Sequence, residues 1–311
     1  RMHLNIVIKA CANAGNCEVA RELYEELIEK RLEPNRQTYG KLVEAGAKAQ
    51  NLDFAEEWFE ALRSMPGGAY LQEYNTMLDA AARSGDVASA EAFLRRAVAA
   101  RLEPDLISYS SMVTAAANSR DLDAAESWLQ EARTAGLKPD VNMFTTVMDA
   151  AAQAGNLSAA ELWFQRAVEI RIRPDGYAYT AVANAAAKTG ALDASRRWVQ
   201  RGRDAGVGSR TVSYNTLLDG AAKKGDLRAA EELFREASEA RVSLDVITFT
   251  TLVNAAAKTN DMRRAEFWYD KALEYLGNVQ DVTLATAILN AVGRTGDLPA
   301  AERWFDELFG Q

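Results

Sequence analysis

YNTMLDAAARSGDVASAEAFL at residues 74–94 returns as FTTVMDAAAQAGNLSAAELWF at 144–164 and as YNTLLDGAAKKGDLRAAEELF at 214–234, steps of seventy residues. Similar lines lie midway between them, so the true period is 35. A period of this size marks a stack of small units, each unable to bury its apolar face without neighbours. Function is therefore sought in what recurs and what varies from one unit to the next.

With Arg1 as the first position, repeats span 1–35, 36–70, 71–105, 106–140, 141–175, 176–210, 211–245, 246–281 and 282–311, one array over 1–311. The eighth carries one extra residue and the ninth stops about five short. A small residue at the twentieth position fixes the register: Ala20, Ala55, Ala90, Ala125, Ala160, Ser195, Ala230, Ala265 and Ala301. Glycine recurs at the fifteenth, as Gly15, Gly85, Gly155, Gly190, Gly225 and Gly296, and reads as a left-handed break between two helices. Neither end shows a polar capping helix and no targeting segment is visible, so the array is expected to continue beyond this chain.

The local signals within each repeat are those of a helical hairpin. A first helix, A, follows a Pro-Asp pair such as Pro104-Asp105, Pro139-Asp140 or Pro174-Asp175, where the carboxylate caps the first turn. A second helix, B, starts near the seventeenth position and carries a bulky pair at the twenty-third and twenty-fourth, as in Trp58-Phe59, Trp163-Phe164 and Trp268-Tyr269. All six tryptophans hold that one position, with small partners three or four residues away, so they read as core, with base stacking the minor alternative. Alanine runs such as 185–187 favour helix, and no apolar run reaches a membrane span. Cys11 and Cys17 sit together in the first repeat, which is no disulfide framework and is compatible with a reducing compartment.

Tetratricopeptide repeats step by 34 and carry their tryptophan in the first helix. Here the step is 35 and the tryptophan is in the second. The line VNMFTTVMDAAAQAGNLSAAELWFQRAVEIRIRPD, residues 141–175, resembles a pentatricopeptide repeat: an aromatic fourth, Asn or Thr fifth, apolar seventh and eighth, Gly15-type break, Ala20-type contact and closing Pro-Asp. The resemblance runs over essentially the whole chain. It implies an all-α, right-handed superhelical solenoid of helix-turn-helix repeats that binds single-stranded RNA, one base per repeat.

By that resemblance the fifth residue and the last residue of each repeat select a base, while the second residue sandwiches it. The pairs are Asn5 with Asn35, Gly40 with Tyr70, Asn75 with Asp105, Ser110 with Asp140, Thr145 with Asp175, Thr180 with Arg210, Asn215 with Asp245 and Thr250 with Asp281; Thr286 lacks its partner. An amide both donates and accepts and suits a pyrimidine, while a small hydroxyl leaves room for a purine. The family's usage then implies pyrimidine-N-U-G-G-N-U-G, with Gly40/Tyr70 and Thr180/Arg210 unread. Each closing Asp is equally explained as a helix cap, whereas Asn and Thr recurring in alanine-rich helices at the fifth position indicate an exposed polar task. At the second position Met2, Ile107, Tyr177, Val212 and Ile247 suit a base sandwich better than Gln37, Gln72, Asn142 and Thr283.

With 44 acidic and 36 basic residues the net charge is −8, against the basic signature of many nucleic-acid binders. Distribution counts for more than the total. The thirteenth position is basic as Lys48, Arg83, Lys188, Lys223, Lys258 and Arg294, a stripe that in the family faces phosphates, and that also lies where a helix dipole favours cations. Acidic residues gather in the B helices, as Glu56-Glu57 and Glu231-Glu232. No catalytic constellation stands out: His3 is the single histidine, the cysteines lack zinc partners and no phosphate-binding glycine loop is present. The expectation is therefore recognition rather than catalysis, without cofactor, metal, membrane or small-molecule substrate, on about eight nucleotides of RNA. The resemblance implies organellar transcript processing, stability, editing or translation in a mitochondrion or plastid. A protein-interaction scaffold of the tetratricopeptide kind is the alternative.

Overall fold

The computed structural model describes residues 7, 8, 10, 11, 14–207, 210–239, 241–277, 281–296 and 298–309, without the side chains of 210–213, 295 and 307–309. After α1 (Cys17–Glu29), the B helix of the first repeat, A and B helices alternate. They are α2 (Arg36–Lys48) and α3 (Leu52–Arg63), α4 (Leu71–Ser84) and α5 (Val87–Ala99), α6 (Leu106–Asn118) and α7 (Leu122–Thr134), α8 (Val141–Gln153) and α9 (Leu157–Glu169). Then come α10 (Gly176–Lys188) and α11 (Leu192–Asp204), α12 (Arg210–Lys224) and α13 (Leu227–Glu239), α14 (Val246–Lys258) and α15 (Met262–Leu276), and α16 (Val282–Thr295) with α17 (Leu298–Phe309). Strands are absent among the described residues.

The hairpin turn is left-handed in every repeat. Gly15, Gly85, Gly155, Gly190, Gly225 and Gly296 have φ between 63° and 75°, and where glycine is missing Gln50, Arg120 and Asn260 adopt φ of 56°, 63° and 55°. Helix A thus ends by conformation rather than by composition. The next residue caps helix B: Asn16, Asn51, Asp86, Asp121, Asn156, Asp226 and Asp261 each accept a backbone N–H three residues on, at 3.0–3.1 Å. A second left-handed turn follows helix B, at Arg31, Arg101, Gly136, Arg171, Gly206 and Arg241.

The contacts divide the chain into two compact halves, Arg1–Ala150 and Ala151–Gln311. In the first, α2, α4 and α6 lie side by side, each against its own B helix, and α1, α3 and α5 touch the A helix that follows. In the second, α10, α12, α14 and α16 form the same row, with α9, α11, α13 and α15 bridging to the next A helix. Within each half the A helices make one layer and the B helices another.

The tryptophans bind consecutive repeats together. Trp58, Trp163, Trp198, Trp268 and Trp304 are at most 7% exposed, which excludes base stacking by these rings. Each of several packs on the twenty-fourth residue of the preceding repeat: Trp58 on Tyr24 at 4.4 Å between ring centroids, Trp198 on Phe164 at 4.7 Å and Trp268 on Phe234 at 4.7 Å. The indole N–H groups of Trp198 and Trp268 donate to Glu161 and Glu231 of the preceding B helix at 2.9 and 3.2 Å. Tilted aromatic pairs of this kind contribute about 0.5–1.5 kcal/mol beyond their buried area.

The twentieth residue sets how closely A and B approach, and it is fully buried at Ala20, Ala55, Ala90, Ala125, Ala160, Ser195, Ala230 and Ala265. Opposite Ala55 stands Gly46, where a Cβ would lie 2.6 Å from the Ala55 backbone nitrogen. The corresponding residues of other repeats, such as Ala81, Ala116 and Ala256, are alanines. Gly46→Ala is therefore expected to destabilise by about 1–3 kcal/mol through overpacking, despite alanine's better helix propensity. Urea or thermal denaturation followed by far-UV circular dichroism checks it, and an unchanged or raised midpoint refutes it.

Candidate nucleic-acid interface

The fifth, ninth and thirteenth residues of an A helix are four apart and share a face. In the third repeat this face borders a cleft of about 410 Å³ whose walls include Gln72, Asn75, Arg83, Asp105, Ile107 and Lys48. Asn75 Nδ2 donates to Asp105 Oδ1 at 3.0 Å, so residues 30 apart in sequence form one polar unit. Asp105 Oδ1 also accepts the Ser108 N–H at 2.9 Å. Capping and pairing are thus performed by the same carboxylate. The seventh repeat matches it: Asn215 Nδ2 lies 3.3 and 3.4 Å from the two oxygens of Asp245, which caps α14 through Thr248 N at 3.0 Å.

The Ser and Thr repeats are built differently. No hydrogen bond joins Ser110 to Asp140, whose carboxylate caps α8 through Met143 N at 3.0 Å. Thr180 and Thr286 donate their hydroxyls to the carbonyls of Gly176 and Val282, at 2.8 and 2.6 Å, and keep only acceptor capacity. The hydroxyl oxygens of Thr145 and Thr250 are buried without a partner. Asp175 caps α10 through Ala178 N at 2.9 Å. Asp281 accepts from Thr283 N at 2.8 Å and Leu284 N at 3.2 Å, and hydrogen bonding from Thr283 above all holds its carboxyl below the usual range, so it is ionised at neutral pH. Asn35 caps α2 through Thr38 N at 3.0 Å. Asn5 and Met2, with the side chains of Arg210 and Val212, lie outside the described residues.

The second repeat offers no edge-reading pair. Gly40 has no side chain, and half-exposed Tyr70 is covered by the Arg36 guanidinium, 3.8 Å from its ring centroid. At the second position the expected sandwiching residues are conspicuously open: Ile107, Tyr177 and Ile247 are 60, 78 and 63% exposed. Apolar groups displayed in this way on a helix are matched by a flat partner such as a base.

All six expected phosphate cations fall in the last turn of an A helix. Lys223, Lys258 and Arg294, from three successive repeats, line one cleft of about 650 Å³ with Thr251, Asn254 and Asn290. Lys48 and Arg83 line the cleft around Asn75, and Lys188 is exposed on α10. Arg83 and Lys223 carry an acidic partner one turn back that sequence reasoning did not identify: Asp79 pairs with Arg83 at 2.8 Å, and Asp219 pairs with Lys223. Exposed pairs of this kind contribute at most about 1 kcal/mol and exchange readily for a phosphate. Several acidic residues of the B helices pair with arginines of B helices, Glu57 with Arg21 at 2.6 Å, Glu56 with Arg96 at 2.8 Å and Glu231 with Arg264. Among the described residues no cluster of His, Cys, Asp and Glu could hold a metal ion, and no helix is long and apolar enough to cross a membrane.

Family profiles match along the chain: the PPR repeat family at 210–258, the pentatricopeptide repeat domain at 2–49 and 127–189, and the PPR repeat at 74–100, 107–137 and 247–275. Among solved structures, the pentatricopeptide repeat protein PPR10 in complex with an 18-nt psaJ RNA element is similar with a TM-score of 0.85 and 21% identity, over 98% of this chain and 44% of that one. The pentatricopeptide repeat protein PPR10 from maize gives 0.69 and 21%, over 98% and 43%. Yeast Rmd9p in complex with 16nt target RNA gives 0.50 and 11%, over 94% and 70%. The chain thus spans less than half of the PPR10 chain, and no curated protein sequence matches it. From its 35-residue period, its A/B hairpins and these matches, the chain belongs to the pentatricopeptide repeat family.

Proposed function

We propose that the A-helix layer binds single-stranded RNA sequence-selectively, one base per repeat. The observation that carries this reading is the recurrence, in the third and seventh repeats, of an Asn amide oriented by the closing Asp. Around the first of these the cleft also holds Ile107, from the second position of the next repeat, and the thirteenth-position cations Lys48 and Arg83. Edge-reading amide, flat apolar contact and phosphate-seeking cation are the three elements that recognition of an unstacked base needs. Solved proteins of this fold held in complex with RNA support it. The activity is recognition rather than catalysis, and the downstream event, stabilisation, processing, editing or translation of an organellar transcript, follows from which RNA is held.

Fluorescence anisotropy with RNA containing pyrimidine-N-U-G-G-N-U-G, a shuffled RNA and the matching DNA tests this over a salt series. The predicted RNA is expected to bind at least about tenfold more tightly than the shuffled one, a difference of about 1.4 kcal/mol. Equal weak binding to all three, or none, would overturn the reading in favour of a protein-interaction scaffold.

A further inference from the structure

An amide is a two-ended reader. Rotated by half a turn it presents donor where it presented acceptor, and nothing in its shape resists the exchange. Reading with Asn therefore depends on how firmly its orientation is held. Asp105 holds only the nitrogen of Asn75, through the 3.0 Å bond. The oxygen is held by the next repeat: Ser108 Oγ donates to Asn75 Oδ1 at 2.7 Å. An amide oxygen can only accept, so the hydroxyl is the donor; the Ser108 oxygen also accepts the Asp105 backbone N–H at 3.2 Å, and Asp105 Oδ1 at 3.1 Å is the longer alternative acceptor for its proton. The arrangement repeats 140 residues on. Thr248 Oγ1 donates to Asn215 Oδ1 at 2.7 Å and accepts from Asp245 N at 3.4 Å. Ser108 and Thr248 are both fully buried, so neither reaches a ligand itself.

The sequence shows the same rule beyond these two sites. A hydroxyl residue stands at the third position after every fifth-position Asn: Thr38 after Asn5, Ser108 after Asn75, Thr248 after Asn215. After Ser110, Thr145 and Thr250, whose repeats close with Asp, the same position holds Met143, Ala178 and Leu284. Thr180, followed by Ser213, belongs to the repeat that closes with Arg210 instead. A hydroxyl rotor adjusts its own proton and has no second end to anchor, so a Ser or Thr reader needs no such partner.

We infer that the third residue of each following repeat is a specificity-determining positioning residue: the buried hydroxyls of Ser108 and Thr248 lock the amides of Asn75 and Asn215 in one orientation and thereby separate U from C. This rests on the RNA-reading proposal above. U and C have the same size and differ in the donor and acceptor order of their Watson–Crick edges, so their discrimination depends on amide orientation rather than on space.

The test uses the full chain as wild type, Ser108→Ala and Ser108→Thr, with RNAs carrying each of the four bases at the third letter and, separately, U or C at the seventh. Wild type is expected to prefer U over C about tenfold at both letters, a step of about 1.4 kcal/mol. Ser108→Ala should reduce that preference to within about threefold at the third letter, while the preference for pyrimidines there and for U at the seventh persists; Ser108→Thr should restore it. Binding weakened equally for all four bases would show that Ser108 acts only as part of the helix cap and would overturn the inference, as would an unchanged U-over-C ratio. A wild type that does not distinguish U from C would overturn both the inference and the base-reading proposal beneath it.

Discussion

Replacing Lys223, Lys258 and Arg294 together with alanine is expected to weaken RNA binding about a hundredfold at 0.1 M salt, by the same factor for every sequence, and to flatten the salt dependence by about two log units per log unit. Both figures come from one relation: each phosphate contact on a single strand contributes roughly −0.7 to the slope of log affinity against log salt, so three contacts contribute about −2. Three successive repeats present these cations to one cleft, the geometry a continuous backbone requires. Lys223 enters the count even though Asp219 holds it, because an exposed pair exchanges a carboxylate for a phosphate at little cost. Asp219→Asn should accordingly raise affinity without altering base preference. The competing account places these cations at the helix ends for the dipole, worth about 0.3–1 kcal/mol each. It predicts a lower melting temperature with an unaltered salt slope. Titrations from 0.05 to 0.3 M salt, beside melting curves, separate the two.

The repeat architecture was legible because each signal recurs. One glycine is weak; six at a fixed spacing fix the turn, and the structure shows why three repeats dispense with it, since Gln50, Arg120 and Asn260 accept the left-handed conformation themselves. The tryptophans were legible as core for the same reason. The left-handed arginines after helix B were not, because arginine carries no turn signal of its own and the hydrogen bonds closing the turn, such as Leu102 N to Ala97 O at 3.1 Å, are backbone bonds. The site was half legible. Pairs 30 residues apart could be named, and two of them are joined by a hydrogen bond from amide to carboxylate. Sequence could not decide between cap and orienter for Asp105, because the carboxylate has acceptor capacity for both and uses one oxygen for the Ser108 N–H and the Asn75 amide alike. The diversion of Thr180 and Thr286 to carbonyls one turn back, and the pairing of Arg83 and Lys223 with acids in their own helices, depend on rotamers that no spacing reveals.

Asn75→Thr, combined with Ser108→Ala, is expected to turn the third repeat from a preference for U into a preference for G, about tenfold in each direction. In the wild-type site the amide is nearly consumed: Asp105 takes one N–H, Ser108 takes one oxygen lone pair, and one donor and one acceptor are left for a base edge. Threonine is shorter and removes both, which enlarges the space beside Asp105 and leaves the carboxylate free to accept from a larger base. Asn75→Thr alone is the weaker switch. It removes the nearer acceptor of the Ser108 proton, which then rests on Asp105 Oδ1 at 3.1 Å and competes with the base for that carboxylate. The double variant removes that donor and reproduces the combination found at Thr145 with Ala178. The order of effects is therefore specific: the single variant should lose U binding and gain little for G, while the double variant should gain G binding. Competition anisotropy with RNAs differing only at the third letter reads the base preference, and the wild type and both variants should keep the same preference at the seventh. Uniform loss of affinity for all four bases in the double variant would mean that Asn75 supports the fold rather than reads a base, since a reader that is exchanged moves selectivity while a structural residue moves only stability.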